Sequence, residues 1–490
     1  MELEQDKQEE NKAAHGPNTA IAHADKPAHR PLSKIIFGVC LLAYLGWAIL
    51  QPREAFKGLF ASAAWISVGY AMLRLAAMLT AKPEDYGLAE LSEDLPIYTV
   101  LVPLFHEAQM VPQLMDGLAK MNYPREKLEI ILITEAVDPI TTKAVAQALR
   151  PPFRQIIVPT GTPQTKPRAL NYALKSSQGT FVTIYDAEDR PHPDQLLAAL
   201  AAFKARPDWA AVQAPLDYFN HDDNWLTRQF ALEYAALFHV WVPFLTRLGL
   251  PFPLGGTSNH MRRAQLDAIG GWDSHNVTED ADLSFRLAAQ GHGIGYIHPP
   301  TQEEAVCNLH DWRMQRARWM KGFIQTWDVH MSKPFAPGGL AGLLRFFTLQ
   351  LTLGLTLLCV LFYAPIVLLL PLFALALWWV SVPLDIGLAY SLTFIFSISI
   401  GCLIGIAGAH RARKPRLIRS ASMMPLYWLL LFEPAIRAFS ELKHKRFHWH
   451  KTRHGVSRPA DLIFTPLTKP NYVPLRRLSL IHISEPTRPY

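Results

Sequence analysis

The stretch FVTIYDAED, residues 181–189, decides how the rest of the chain is read. Its first half is a short apolar run rich in β-branched residues, and its second half carries three carboxylates. Strands that are apolar throughout belong to parallel sheets covered by helices on both faces, and such sheets bind ligands beyond the carboxyl ends of their strands. Working outward, YTVLVPL (98–104), LEIILIT (128–134), RQIIV (154–158) and AAVQA (210–214) repeat the same run. Helix-like stretches at 107–121, 141–149, 167–176 and 193–205 separate them. The alternation predicts an α/β domain over residues 81–334.

Further out, the composition changes. Ile35–Leu50 and Gly58–Thr80 are apolar enough for two membrane spans within residues 34–80, since a spanning helix needs roughly 20 apolar residues. Arg74, near the end of the second, is expected to snorkel to the interface. Beyond Pro334 about four more spans are expected within 335–440: two in Leu340–Val380, broken near Pro365, then Gly387–Ala409 and Ala421–Phe439. Six spans would put the basic loop His410–Arg419 outside, against the positive-inside tendency, so one segment is expected to be re-entrant or interfacial. Residues 1–33 read as a disordered cytosolic tail and 441–477 as a basic cytosolic tail. The last stretch, LSLIHISEPTRPY (478–490), fits nothing before it and reads as an artefactual adapter read-through.

The net charge of +7 is concentrated beside the apolar runs, which marks cytoplasmic flanks and argues against nucleic acid as a partner. The four cysteines show no C-x-x-C spacing, so neither a disulfide framework nor a cysteine zinc site is expected. The reading is a multi-pass protein of the plasma (bacterial inner) membrane with its α/β domain in the cytosol.

Four motifs carry chemistry. In YDAED (185–189), carboxylates at a strand end suit a hard divalent cation, Mg²⁺ or Mn²⁺, although an isolated acidic turn is commoner. VTED (277–280) opens a helix, where carboxylates also serve as caps. MQRARWMKG (314–322) sets arginines beside a tryptophan: cations for a diphosphate and a flat face for a sugar ring, or else an interfacial helix. QTKPRALNYAL (164–174) offers Lys166 and Arg168 to phosphate or to solvent.

Taken in order, VPLFHE (102–107), TKPRALN (165–171), YDAED, VQAPLDYFN (212–220), the TED triplet (278–280) and Q-R-A-R-W (315–319) resemble the family 2 glycosyltransferases. The likeness is to the membrane-bound, cellulose synthase-like and exopolysaccharide-synthesising branch. It runs from about Tyr98 to Gly455 and includes RFHWHKTRHG (446–455), similar to an element of one subgroup. The resemblance implies a Rossmann-like glycosyltransferase-A domain inserted between N- and C-terminal transmembrane helices. It implies an inverting transfer from a UDP-sugar, with UDP-glucose the default and UDP-N-acetylglucosamine behind it, to a growing β-linked polysaccharide.

Roles follow from the resemblance. Asp280 would be the general base; Glu107, Asp138, Lys166 and Asp186 would hold the nucleotide-sugar. Thr278, Glu279, Gln315, Arg318 and Trp319 would hold acceptor and diphosphate, and Asp186 and Glu188 the metal. Asp189 stays open, and Lys451 and Thr452 would lie on a closing segment. The family's acidic pair after its second strand is replaced by TEAVD (134–138), leaving Asp138 or Glu135 to contact the base. Implied partners are a glycan or glycolipid acceptor, the bilayer and polysaccharide-export subunits. The alternatives are a transferase adding one sugar to a membrane lipid, an inactive membrane scaffold and, less in keeping with the apolar runs, a transporter.

Overall fold

The computed structural model describes residues 31–91, 94–368, 375, 378–379, 384–444 and 447. The tail 1–30, the segment 478–490 and the 446–455 element apart from Phe447 lie outside them, and so do Lys451 and Thr452.

Two helices, α1 (Pro31–Leu50) and α2 (Pro52–Thr80), lead into a mixed α/β domain. Its strands are β1 (Tyr98–Leu104), β2 (Leu128–Glu135), β3 (Phe153–Val158), β4 (Phe181–Ile184), β5 (Arg190–Pro191), β6 (Trp209–Gln213), β7 (Leu216–Tyr218), β8 (Asn259–Arg262), β9 (Gly293–Tyr296) and β10 (Thr301–Glu303). The main sheet has the order β3-β2-β1-β4-β8-β6-β9, and β5-β10-β7 form a small second sheet. Parallel pairing runs through β3, β2, β1 and β4, whereas β8 is antiparallel to both neighbours.

The five apolar runs are β1, β2, β3, β4 and β6 to within a residue. Covering helices include α3 (Val111–Leu118), α4 (Pro139–Ala148), α5 (Lys166–Leu174) and α6 (Gln195–Ala205). Strand β8 was not anticipated, because it is polar. Its buried His260 takes hydrogen bonds with the Tyr98 hydroxyl (2.8 Å) and Gln195 (3.1 Å), which let a histidine stand mid-sheet.

Helix α7 (Trp225–Ala236), then α8 (Glu279–Ala289) and the long α9 (Leu309–His330), join the sheet to the apolar helices. These are α10 (Gly339–Leu368) and α11 (Leu384–Arg411). Among the described residues three helices are long and apolar enough to cross a membrane: α2, α10 and the Leu388–Arg411 part of α11. Helix α10 runs through Pro365 and ends at Leu368, and the second span expected up to Val380 lies largely outside the described residues. One expectation about this region needs correction. Residues 421–439 are not one span but pieces of a 3-10 turn, a six-residue helix and α12 (Phe432–His444), each too short to cross. Helix α12 also carries the exposed pair Glu433–Arg437 (2.9 Å), which suits water rather than lipid.

The apolar helices are clamped to the domain. Gly408 of α11 lies so close to α7 that a Cβ there would meet the Ala235 backbone at 2.4 Å. Arg411 donates to the carbonyls of Met78 (2.6 Å) and His239 (3.0 Å), and Arg247 to that of Thr80 (2.6 Å). Lys414 pairs with Asp217 at 2.5 Å and donates to the Tyr218 carbonyl at 2.8 Å.

Candidate active site

The strand order fixes where the site lies. The order in which strands are added reverses at β1, which lies parallel between β2 and β4, and in open α/β sheets ligands bind at that reversal. The chain leaving β1 carries Glu107, that leaving β2 follows Glu135, and that leaving β4 is the YDAED turn.

Asp189 closes this turn. Its buried carboxylate accepts from the Asp186 N–H (2.6 Å) and the Thr257 hydroxyl, which leaves Asp186 and Glu188 facing a cavity. Burial, with Asp186 and Glu188 close by, pushes the Asp189 carboxyl well above the usual range. Lys166, first residue of α5, forms an ion pair with Asp186 and donates to the Gly256 carbonyl at 2.7 Å. Burial alone would lower its pKa, but Asp186, Glu279 and Asp280 outweigh burial and raise it.

Glu279 and Asp280 begin α8, and Asp280 accepts from the Ala281 N–H at 2.8 Å. A Cβ on Gly256 would lie 3.4 Å from Asp280 and 3.8 Å from the Lys166 ammonium, so this glycine loop lets base and cation converge. Burial raises both carboxyls. That of Glu279 reaches about 7, helped by the neighbouring Asp280 charge. Asp280 is raised although the Ala281 N–H, Lys166 and Arg318 pull it back.

Helix α9 supplies the opposite wall. Arg318 is desolvated, which lowers its pKa, and feels the charges of Glu279, Asp280 and Asp186. The Gln315 Oε1 is buried without a hydrogen-bond partner among the described residues. Trp319 stacks on Phe230 (6.0 Å, 16°) and lies under the Arg316 guanidinium at 4.5 Å. Arg316 is held by Glu233 (2.8 and 2.6 Å) and the Tyr427 hydroxyl (2.8 Å), so the tryptophan sits on a rigid bed. The Thr278 side chain turns toward α9, where a Cβ on Gly322 would meet it at 2.3 Å.

Asp138 is placed differently from the expectation. It caps α4, accepting from Thr141 N–H (3.2 Å) and His106 N–H (2.6 Å), and does not line the cavity. Burial pushes its pKa up, but these bonds outweigh it and leave the carboxyl lowered. Glu135 lines the cavity instead, 3.8 Å from Arg168. Phe447, from the start of the 446–455 element, packs edge-on to His275 at 5.2 Å and also lines the cavity.

Sequence reasoning missed Glu303 and Gly256. Glu303 ends β10, and its carboxyl is pushed well up by burial and by Asp189, Glu188 and Asp186. The double glycine of PLGGTSN (253–259) was the available signal for Gly256; nothing in TQEEA (301–305) marked Glu303.

One cavity of about 1830 Å³ joins these groups. At the domain end Glu107, Glu135, Lys166, Asp186, Asp280 and Arg318 line it, and at the other Leu59, Ile66, Leu358, Phe394 and Ile398 of the apolar helices.

Residues 181–405 match the model described as glycosyl transferase family group 2. The chain is similar to a beta-monoglucosyldiacylglycerol synthase from Synechocystis sp., 25% identical over 420 residues, covering 80% of this chain and 83% of that protein. It is also similar to glucomannan 4-beta-mannosyltransferase 2 from Arabidopsis thaliana, 25% identical over 240 residues, covering 47% of this chain and 45% of that one. Among solved structures, a mannosyltransferase from Pyrobaculum calidifontis in complex with GDP-Man and Mn²⁺ is 20% identical with a TM-score of 0.49, over 80% of this chain and 99% of that one. The cavity brings a paired lysine, a helix-borne arginine and a buried carboxylate together at one end of the sheet. Over residues 181–405 the chain is matched as a family 2 glycosyltransferase.

Proposed function

We propose that this enzyme transfers one hexose, with glucose first, from a nucleotide-diphosphate sugar to the hydroxyl of a membrane lipid, with inversion. The observation that carries the reading is the single cavity that runs from Asp280 into apolar helices. Along the helices that path is mainly apolar, with Leu59, Ile66, Leu358 and Ile398 among scattered hydroxyls such as Ser62, Thr356 and Tyr363, so it suits acyl chains better than a hydroxyl-rich polymer. The relative matched over four-fifths of both chains is a lipid glucosyltransferase, whereas the polysaccharide-forming one is matched over less than half. The lipid reading therefore displaces the polysaccharide synthase suggested by Q-R-A-R-W, and export subunits have no place in it.

Glu107 and Glu135 face the nucleoside, and Lys166 and Arg318 receive the diphosphate. Asp280 takes the proton from the acceptor oxygen as that oxygen attacks the anomeric carbon and the bond to diphosphate breaks. Arg318 neutralises the departing charge, worth most in a dehydrated site. Attack from the face opposite the leaving group turns an α-linked donor into a β-linked product. Trp319, on its bed of Phe230 and Arg316, offers an aromatic face to a sugar ring.

The acids at the β4 end fit a divalent cation. Asp189 Oδ1 and Glu303 Oε1 are buried without hydrogen-bond partners among the described residues, and Asp186 and Glu188 face the same space. Among the described residues no three His, Cys, Asp or Glu side chains form a complete metal site, so donor oxygens must complete the shell. Bound there by Asp186 and Glu188, Mg²⁺ or Mn²⁺ would screen the diphosphate charge.

The bilayer placement uses the three long apolar helices α2, α10 and α11 and adds the 20-residue α1 as a fourth span. The basic residues Arg411 and Lys414 then lie on the catalytic-domain side, in keeping with a cytosolic domain at the plasma membrane. The test incubates membranes with radiolabelled UDP-glucose and separates chloroform-extractable from ethanol-insoluble product. Label in a lipid carrying a single hexose supports the proposal; label in a long glycan overturns it.

A further inference from the structure

Arg74 has no role in the chemistry above, yet it is a cation on a membrane-spanning helix. The expected snorkelling does not occur. Side chains of a helix tilt toward its N-terminus, and the C-terminal end of α2 is the end held against the domain by Arg247. Arg74 therefore points away from the near interface. Its guanidinium sits over the Tyr70 ring, one turn deeper, at 4.1 Å. It also lies against α11, where a Cβ on Gly401 would be 3.3 Å from its Nη1. Six residues separate Arg74 from Thr80, which at 1.5 Å per residue sets its backbone about 9 Å below the helix end.

At that depth the side chain lines the same cavity as Asp280. Among the described residues it makes its ring contact and no ion pair or hydrogen bond. A charged residue within a membrane segment is costly unless paired, and those that persist face a cavity and mark a ligand path. A tyrosine face offsets only part of this cost. An ester carbonyl would leave the full charge in place; an oxyanion cancels it.

We infer that Arg74 binds the phosphate of an anionic phospholipid lying in the inter-helix cavity with its head toward the catalytic domain. The Leu and Ile side chains that predominate along the helices take its acyl chains, and the guanidinium offers the forked donors that match phosphate oxygens. The inference rests on the bilayer placement proposed above, not on the identity of the acceptor.

The test measures lipid retained by the purified full-length enzyme after delipidation and exposure to equal phosphatidylglycerol and phosphatidylcholine, by native mass spectrometry. Both lipids carry the phosphate, but the choline ammonium of phosphatidylcholine neutralises it internally, so wild type should retain phosphatidylglycerol preferentially, and excess inorganic phosphate should not displace it. Arg74→Gln should lose that preference by about tenfold, the worth of one charge-assisted hydrogen bond; Arg74→Lys should keep most of it. Equal retention of the two lipids by wild type, or an unchanged preference in Arg74→Gln, overturns the inference. Displacement by phosphate overturns it too, since the site would then take a free anion. Because retention is read without turnover, a failure here is distinct from failure of the lipid-acceptor reading.

Discussion

At the scale of single residues, the proposed chemistry rests on Asp280 and its neighbours. Asp280→Asn should lower turnover by roughly 10²–10⁴, the worth of a positioned base, while isothermal titration still shows nucleotide-sugar binding. A simple helix cap would instead lose about 1 kcal/mol of stability with its rate intact. The pH profile gives a second check. A base works only when ionised, so activity falls as pH drops through its pKa. With burial raising Asp280, the acid limb of kcat/KM should be shifted upward from the usual carboxylate value of about 4. A limb near 4 would remove Asp280 from that role. Asp186→Ala and excess chelator should each weaken nucleotide binding, with Mn²⁺ restoring only the chelated wild type; full activity in chelator would contradict the metal assignment. These residues were legible because they stand at fixed places beside a strand end, a helix start and an Arg-Trp pair. Asp138 misled for a physical reason: an acid two residues past a strand can serve the helix it precedes, and here it caps α4. Glu303 was invisible because its neighbours in the site are remote in sequence.

Helix α9 shows what an element contributes beyond its residues. It carries Gln315, Arg318 and Trp319 along one wall and is fixed to α8 where Gly322 meets Thr278. A side chain at Gly322 has nowhere to go: Gly322→Val should cost about 1–3 kcal/mol through overpacking and move Arg318 relative to Asp280. Thermal unfolding would show the first effect. The second should appear as a fall in kcat exceeding any rise in KM; unchanged kinetics would mean that α8 and α9 can separate without consequence. At this scale the parallel strands were legible from apolar runs alone. Strand β8 was not, since its burial depends on the bonds of His260 to Tyr98 and Gln195. Residues 421–439 failed the other way, their apolarity serving contacts with α7 and α9 instead of lipid.

The whole molecule couples a water-facing site to an apolar one through a rigid joint. The basic loop after α11 looked misplaced when six spans were counted. It is instead where Arg411 and Lys414 lock the helices onto the domain, and no count of apolar residues could have revealed that. The shared cavity also has a kinetic consequence. Donor is counted per litre of water, but an acceptor drawn through the helices is counted per molecule of surrounding lipid. Diluting vesicles with donor-containing buffer should leave the rate per enzyme unchanged, whereas adding inert lipid to those vesicles should slow it. A rate that instead follows bulk acceptor concentration would place the acceptor's entry on the aqueous side. An enzyme supplied in this way responds to the mole fraction of its acceptor, and so to the composition of its own membrane.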